Sequence, residues 1–269
     1  MARMHPFDEA IDLQASAPHE FTGATHPAYA NMIGPFGGTT SAQLLQSAML
    51  HPERLGDPLA LTVNYAAGVA DGPFVLQARP ARTNRSTQHW VIELLQDGQS
   101  VATATAITAK RRQTWSSDEQ TPPAGPPPSE VATFESAGLL AWLGCYEMKP
   151  IKGAMPTHWD GLGQDSLSQL WVRDKPARRL DFAALSALAD VFFPRIFLRR
   201  AKRVPAGTVS MTVYFHADAS QLEEVGAGYL LAQASAQAFR HGFFDQTAQL
   251  WSEDGALLVT TQQVVYFKE

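Results

Sequence analysis

Residues 94–108 read LLQDGQSVATATAIT, and residues 250–265 read LWSEDGALLVTTQQVV. Each sets an Asp-Gly pair between alternating runs, the strongest short-range signal for a β-hairpin. Asp97 aligns with Asp254, an offset of 157. Upstream, LTVNY from Leu61 aligns with MTVYF from Met211, an offset of 150; the difference falls in the intervening loops. The rest of each half follows the same order. In the first, Gly34-Pro35-Phe36-Gly37-Gly38 breaks the chain before a helical pattern over 39–50, with Ala42, Leu45, Ala48 and Met49 on one face and Thr39 or Thr40 as cap. Strand patterns follow at 59–65, 74–82, 87–95 and 100–109. In the second, the spacing predicts a helix over 181–193, then strands at 208–216, 228–238, 243–251 and 256–267. A single helix followed by a run of strands argues α+β rather than parallel α/β. The matched order points to one unit, duplicated and fused; the alternative is two small α+β domains that share only hairpin patterning.

Between the halves lies SSDEQTPPAGPPPSE, residues 116–130. Its prolines exclude a helix interior or a central strand, so it reads as an extended linker. The expected division is a first repeat at 1–115, the linker at 116–130 and a second repeat at 131–269.

The chain has 269 residues, 45% of them hydrophobic and 17% charged. That is ample for a core and excludes wholesale disorder. A net charge of −5 argues against nucleic acid or an anionic membrane as the main partner. The single cysteine, Cys145, excludes an internal disulfide and a Cys-rich metal site, and its apolar surroundings read as core. Residues 1–9 turn acidic at once and do not resemble a signal peptide, and no apolar run reaches membrane-spanning length. The expected compartment is the cytoplasm. There is no G-x-S-x-G elbow, no H-E-x-x-H and no P-loop, and Gly161-Leu162-Gly163 reads as a turn.

Two polar residues stand where the pattern asks for something else. In the last strand, Leu257, Val259, Thr261, Gln263, Val265 and Phe267 share a core-facing side, and Gln263 interrupts it. A buried amide needs partners for both its ends. The matching residue of the first half is Ala106, so the fold does not require Gln there; backbone groups at a strand end could also satisfy it. Asp190 is placed near the end of the second helix, beside the small residues Ala183, Ser186 and Ala187, with Pro194 loosening the backbone. There a carboxylate opposes the helix dipole. Thr208 opens a strand, an ordinary place for Thr. His216 reads as a strand-end residue. The basic run Arg195, Arg199, Arg200, Lys202, Arg203 is either a solvated loop or a phosphate contact.

Duplicated helix-plus-sheet units, Phe36-Gly37-Gly38 before a Gln/Ala/Leu helix, LADVFFP at 188–194, TVSMTVYFH at 208–216 and EDGALLVTTQQ at 253–263 together resemble the type II acyl-CoA thioesterases, the TesB-like family. The resemblance covers nearly the whole chain and implies a double hotdog fold, two antiparallel sheets each wrapped around one helix. It implies hydrolysis of acyl-CoA by a water held between an Asp, a Ser or Thr, and a Gln, which fall on Asp190, Thr208 and Gln263. Ser210-Met211 stand where the family often has Asp-His. The family's sites further suggest Gly37 and Gly38 as oxyanion donors and Arg199, Arg200 or Lys202 as contacts for the CoA phosphates. No metal or redox cofactor is implied, and a homodimer or higher homo-oligomer is. Two other readings share the fold: a non-enzymatic acyl-CoA or lipid-binding protein, and an enoyl-thioester hydratase, against which the missing Asp-x-Asn-Pro-x-His pattern argues. The discriminator is whether Asp190, Thr208 and Gln263 meet.

Overall fold

The computed structural model describes residues 4–269, so residues 1–3 of the amino-terminal stretch read above lie outside the described residues. Five helices are α1 (Pro6–Ala10), α2 (Gly37–Leu50), α3 (Phe182–Leu188), α4 (Arg195–Arg200) and α5 (Ala219–Val225). The first-half strands are β1 (Gln14–Ala17), β2 (Glu20–Ala24), β3 (Asp57–Tyr65), β4 (Pro73–Thr83), β5 (Thr87–Gln96) and β6 (Gln99–Ala109). The second-half strands are β7 (Tyr146–Lys152), β8 (Ser168–Asp174), β9 (Ala206–Phe215), β10 (Leu230–Ser235), β11 (Phe239–Arg240), β12 (Phe243–Ser252) and β13 (Leu257–Phe267).

The strands form one continuous antiparallel sheet in the order β1-β2-β4-β5-β6-β3-β9-β13-β12-β10-β8-β7, with β11 added beside β12. Read outward from the centre, the two sides use equivalent strands in the same order. At the centre, β3 pairs with β9, and Thr62 faces Thr212, its own counterpart at offset 150. The two hydroxyls share a hydrogen bond of 3.0 Å. The flanking pairs are Leu61 with Val213 and Val63 with Met211. A pseudo-two-fold axis therefore passes between Thr62 and Thr212. It also passes between the helices, where Ser41 Oγ meets Ser186 Oγ at 2.6 Å. A Cβ on Gly38 would lie 2.6 Å from the Ala187 carbonyl. The small flank Ala183, Ser186, Ala187 is thus the surface where the two helices touch. The largest buried apolar cluster joins residues of both halves, among them Leu44, Leu61, Leu94, Leu185, Val213 and Leu250. This is the double hotdog arrangement, in the α+β class.

The strands expected from alternation are present with ends shifted by a residue or two, except that β10 is shorter than 228–238. Strands β1, β2, β7 and β8 were not expected; the first two are four and five residues long. Two helical expectations need correction. The 39–50 helix begins two residues earlier, at Gly37, and neither Thr39 nor Thr40 caps it; Phe36 holds the cap position without a side-chain bond and stacks on Trp142 at 4.2 Å. The 181–193 segment is not one helix. It is capped by Asp181, which accepts from Ala184 N–H, and it ends after Leu188. Pro194 restricts Phe193 to extended backbone and begins α4 instead, so the chain turns between the helices. Residues 116–130 carry no helix or strand apart from a short 3-10 turn at Pro128–Glu130. They lie against the second half: Trp171 Nε1 donates to the Pro126 carbonyl at 2.9 Å and Lys149 Nζ to the Pro128 carbonyl at 2.7 Å. Among the described residues, no helix is long and apolar enough to cross a membrane.

Candidate active site

Asp190, Thr208 and Gln263 meet. Thr208 lies near the start of β9 and Gln263 in β13, strands that are paired in the sheet. Gln263 points inward with 2% of its surface exposed. Its Nε2 donates to Asp190 Oδ1 at 2.8 Å, and Thr208 Oγ1 donates to its Oε1 at 3.3 Å. The second Nε2 hydrogen faces Met211 Sδ at 3.3 Å. Both ends of the amide are therefore engaged by side chains rather than by the backbone.

Asp190 sits in the turn after α3, not within a helix. Asp190 lies just past the α3 C-cap, Ala189, so the carboxyl end of its own helix still acts on it. It faces the N-terminus of α2, contributed by the other half. A Cβ on Gly37 would lie 2.9 Å from Asp190 Oδ2, so the absent side chain leaves room for the carboxylate. The Gly38 backbone N–H is turned toward that carboxylate and favours its charged form without completing a hydrogen bond to it. Helix N-termini favour anions because their first N–H groups lack intrahelical acceptors. Burial nevertheless dominates: it pushes the Asp190 pKa up to about 7, against the opposing pull of Gln263 and Gly38. Tyr65, at the end of β3, closes this side. Its hydroxyl donates to the Gly37 carbonyl at 2.9 Å, and burial followed by the nearby Asp190 holds its own pKa well above the ordinary value.

The sequence reading missed Tyr65. The signal was present: at offset 150 its counterpart is Phe215, so a hydroxyl has been added where the fold accepts a plain ring. The same comparison had singled out Gln263 against Ala106.

The basic run divides. Arg195 is wholly buried and is neither solvated nor available to a ligand. It donates to the carbonyls of Phe193, Ser166 and Ala234 and to Ser168 Oγ. Burial lowers its pKa to about 9. Arg199 and Arg200, in the last turn of α4, line an open surface groove of about 1090 Å³ together with Arg240, His241 and Lys268. Arg200 also pairs with Glu269 at 3.2 Å. Lys202 does not line this groove, and neither do Asp190, Thr208 and Gln263. A small apolar pocket lies next in sequence to Asp190, formed by Val191, Phe192 and Phe193 with Phe134, Met148 and Leu170. His216 bonds Thr260 Oγ1 at the far end of β9 from Thr208. Cys145 is buried, donates to the Ala28 carbonyl and has its pKa pushed up to about 11, as a packed thiol does. No cluster of three or more His, Cys, Asp or Glu suited to a metal occurs among the described residues.

Comparison with known proteins agrees with this architecture. A family model described as the acyl-CoA thioesterase N-terminal domain matches residues 26–109, and one described as the C-terminal domain matches residues 117–267. A hotdog-fold protein of unknown function from Alicyclobacillus acidocaldarius is 47% identical, with 99% of each chain covered and a TM-score of 0.95. The acyl-CoA thioesterase II TesB2 of Mycobacterium marinum is 17% identical, with 97% of this chain and 98% of that one covered, at a TM-score of 0.77. The tesB protein of Mycobacterium avium subspecies paratuberculosis is also 17% identical, with 99% and 100% covered, at 0.79. No curated protein matches the chain. Fold and site thus define a double hotdog protein with one polar corner. The chain belongs to the acyl-CoA thioesterase family.

Proposed function

We propose that the protein hydrolyses acyl-CoA to a carboxylic acid and CoA by direct attack of water. Asp190 accepts the proton as the water oxygen bonds to the thioester carbonyl carbon. Thr208 and Gln263 fix the remaining hydrogen bonds of the water and so its line of attack. The resulting oxyanion is met at the N-terminus of α2 by the Gly37 N–H, the Gly38 N–H being turned toward Asp190. Collapse of the tetrahedral intermediate breaks the C–S bond, and the proton held by Asp190 passes to the departing thiolate. In this reading the second repeat, 131–269, carries the reacting side chains, and the first repeat, 1–115, contributes the helix N-terminus across the 116–130 linker. Arg199 and Arg200 receive the CoA phosphates, with Lys202 near them; the pocket behind Val191–Phe193 takes the end of the acyl chain. A cytoplasmic homo-oligomer acting on soluble acyl-CoA fits this assignment.

The observation that carries the reading is the hydrogen-bonded run from Thr208 through Gln263 to a carboxyl whose pKa is about 7. A base of that pKa is half deprotonated at neutral pH, where general-base catalysis is most efficient. A protein that only bound acyl-CoA would have no use for such a group. The test is thiol release from a panel of acyl-CoAs by the parent protein and by Asp190→Asn. Asn keeps the shape but cannot take the proton. A loss of at least about a hundredfold in kcat supports the reading. Tight binding across the panel without turnover by the parent rejects it in favour of a binding protein.

A further inference from the structure

We infer that Tyr65 is a positioning residue for Asp190, acting through the Gly37–Gly38 peptide; the inference rests on the hydrolase reading above. The Gly37 carbonyl and the Gly38 N–H are opposite ends of one planar peptide unit. Tyr65 donates to the oxygen at 2.9 Å. The N–H at the other end is turned toward the Asp190 carboxylate and favours its charged form. Holding the oxygen therefore fixes the direction in which the N–H points. It also polarises the unit, since hydrogen bonds in series strengthen one another by roughly 10–30% each. A Cβ on Gly37 would sit 3.6 Å from Tyr65 Oη and 2.9 Å from Asp190 Oδ2, so both side chains flank this glycine, and the hydroxyl also feels the charge of the carboxylate directly.

Two observations separate this role from simple packing. The Gly37 carbonyl also accepts the ordinary helical bond one turn along α2. The helix therefore does not need Tyr65 to satisfy it. And the fold has already run the control. Across the pseudo-two-fold axis the counterpart of Tyr65 is Phe215, which packs on Phe182, the counterpart of Gly37, with ring centroids 5.9 Å apart. There the ring is kept, the hydroxyl is absent and no carboxylate is present. The hydroxyl accompanies the carboxylate, not the packing.

The titratable groups facing Asp190 are Tyr65 on β3 and Tyr146 on β7, both kept neutral by burial. Gln263, Thr208 and Met211 face it from β13 and β9 and carry no charge. Removing the Tyr65 hydroxyl weakens the pull of that N–H on the charged form of Asp190 and so raises its pKa.

The experiment is Tyr65→Phe in the full chain, with two readouts. One is the pH dependence of kcat on the best acyl-CoA of the panel. The other is the carboxyl titration of Asp190 followed by carbon-13 NMR, assigned with Asp190→Asn, which needs no turnover. The expected result is a fall in kcat of about three- to tenfold with KM within about twofold. The acid limb and the NMR midpoint both move up by about half a pH unit or more. An unmoved midpoint overturns the proposal, whether or not the variant melts at a lower temperature. Absence of turnover in the parent defeats the hydrolase reading instead, and the NMR midpoint still decides whether Tyr65 acts on Asp190.

Discussion

The molecule builds the same corner twice. On one side of the pseudo-two-fold axis stand Asp190, Thr208 and Gln263 of the second half with Gly37 and Tyr65 of the first. On the other stand their counterparts by repeat offset: Leu45, Pro58 and Ala106 of the first half with Phe182 and Phe215 of the second. Those five are all buried, whereas Asp190, Thr208, Gly37 and Tyr65 each keep part of their surface exposed. One corner is a polar recess at a helix N-terminus; the other is filled with hydrocarbon. The strands are shared, so the difference is made by side chains and by where each helix ends. The two changes that open the polar corner are subtractive. Gly stands where the counterpart has a phenyl ring, and α3 stops after Leu188 where α2 continues to Leu50.

The sharpest way to break this contrast is to start filling the open corner. Gly37→Ala places a methyl 2.9 Å from Asp190 Oδ2, closer than a real contact allows. We expect it to lower kcat by about a hundredfold in the acyl-CoA assay while the protein stays folded.

Next in size is Gln263→Ala, which writes the Ala106 residue into the polar corner. Asp190 loses its 2.8 Å donor. We expect a loss of about tenfold or more in kcat/KM with little change in melting temperature. The pH profile carries the same logic. With the Asp190 pKa at about 7, kcat/KM of the parent rises with pH through that value. Loss of the Gln263 bond to the charged form moves that limb upward.

The same raised pKa has a stability consequence of determined sign. A carboxyl that titrates at about 7 when folded and near 3.9 when unfolded binds more protons in the folded state between those values. Parent stability therefore falls as pH rises from about 4 to about 7 and is level above that. Asp190→Asn removes this dependence. Thermal melts should show the variant gaining on the parent across that window, by a few degrees at pH 8.

The reverse substitution tests the filled corner. Ala106→Gln puts an amide at a buried position whose paired residues are Leu61 and Trp90. We expect a loss of about 2 kcal/mol in denaturant unfolding and no second active site. The smallest effect is expected from Arg199→Ala combined with Arg200→Ala, which should raise KM a few-fold and weaken its salt dependence, with kcat nearly unchanged.

Much of this was legible before any coordinates. The hairpins carried it, because period-2 alternation interrupted by Asp-Gly has few other readings. Gln263 was visible because the repeat supplied Ala106 as its control. The helix over 181–193 was overextended because Val191 and Phe192 keep the apolar spacing going. Nothing local says that Pro194 starts a new helix rather than bending the old one. Arg195 read as either solvated or phosphate-binding because a run of cations gives no hint that one of them is enclosed by carbonyls. The short outer strands β1 and β2 offered too little alternation to be seen.

By itself the sequence determined the duplication, the antiparallel hairpins, the central helix of the first half and three polar residues of the second. It could do so because those features depend on periodicity and on comparison of one repeat with the other. Only the tertiary structure decided that Asp190 faces the N-terminus of the opposite half's helix, that Gly37 clears the space for it, and that Tyr65 holds the peptide between them. Those contacts join residues from Gly37 to Gln263 across the pseudo-two-fold axis, between segments far apart in the chain. Their energies depend on burial and direction, which no local pattern encodes.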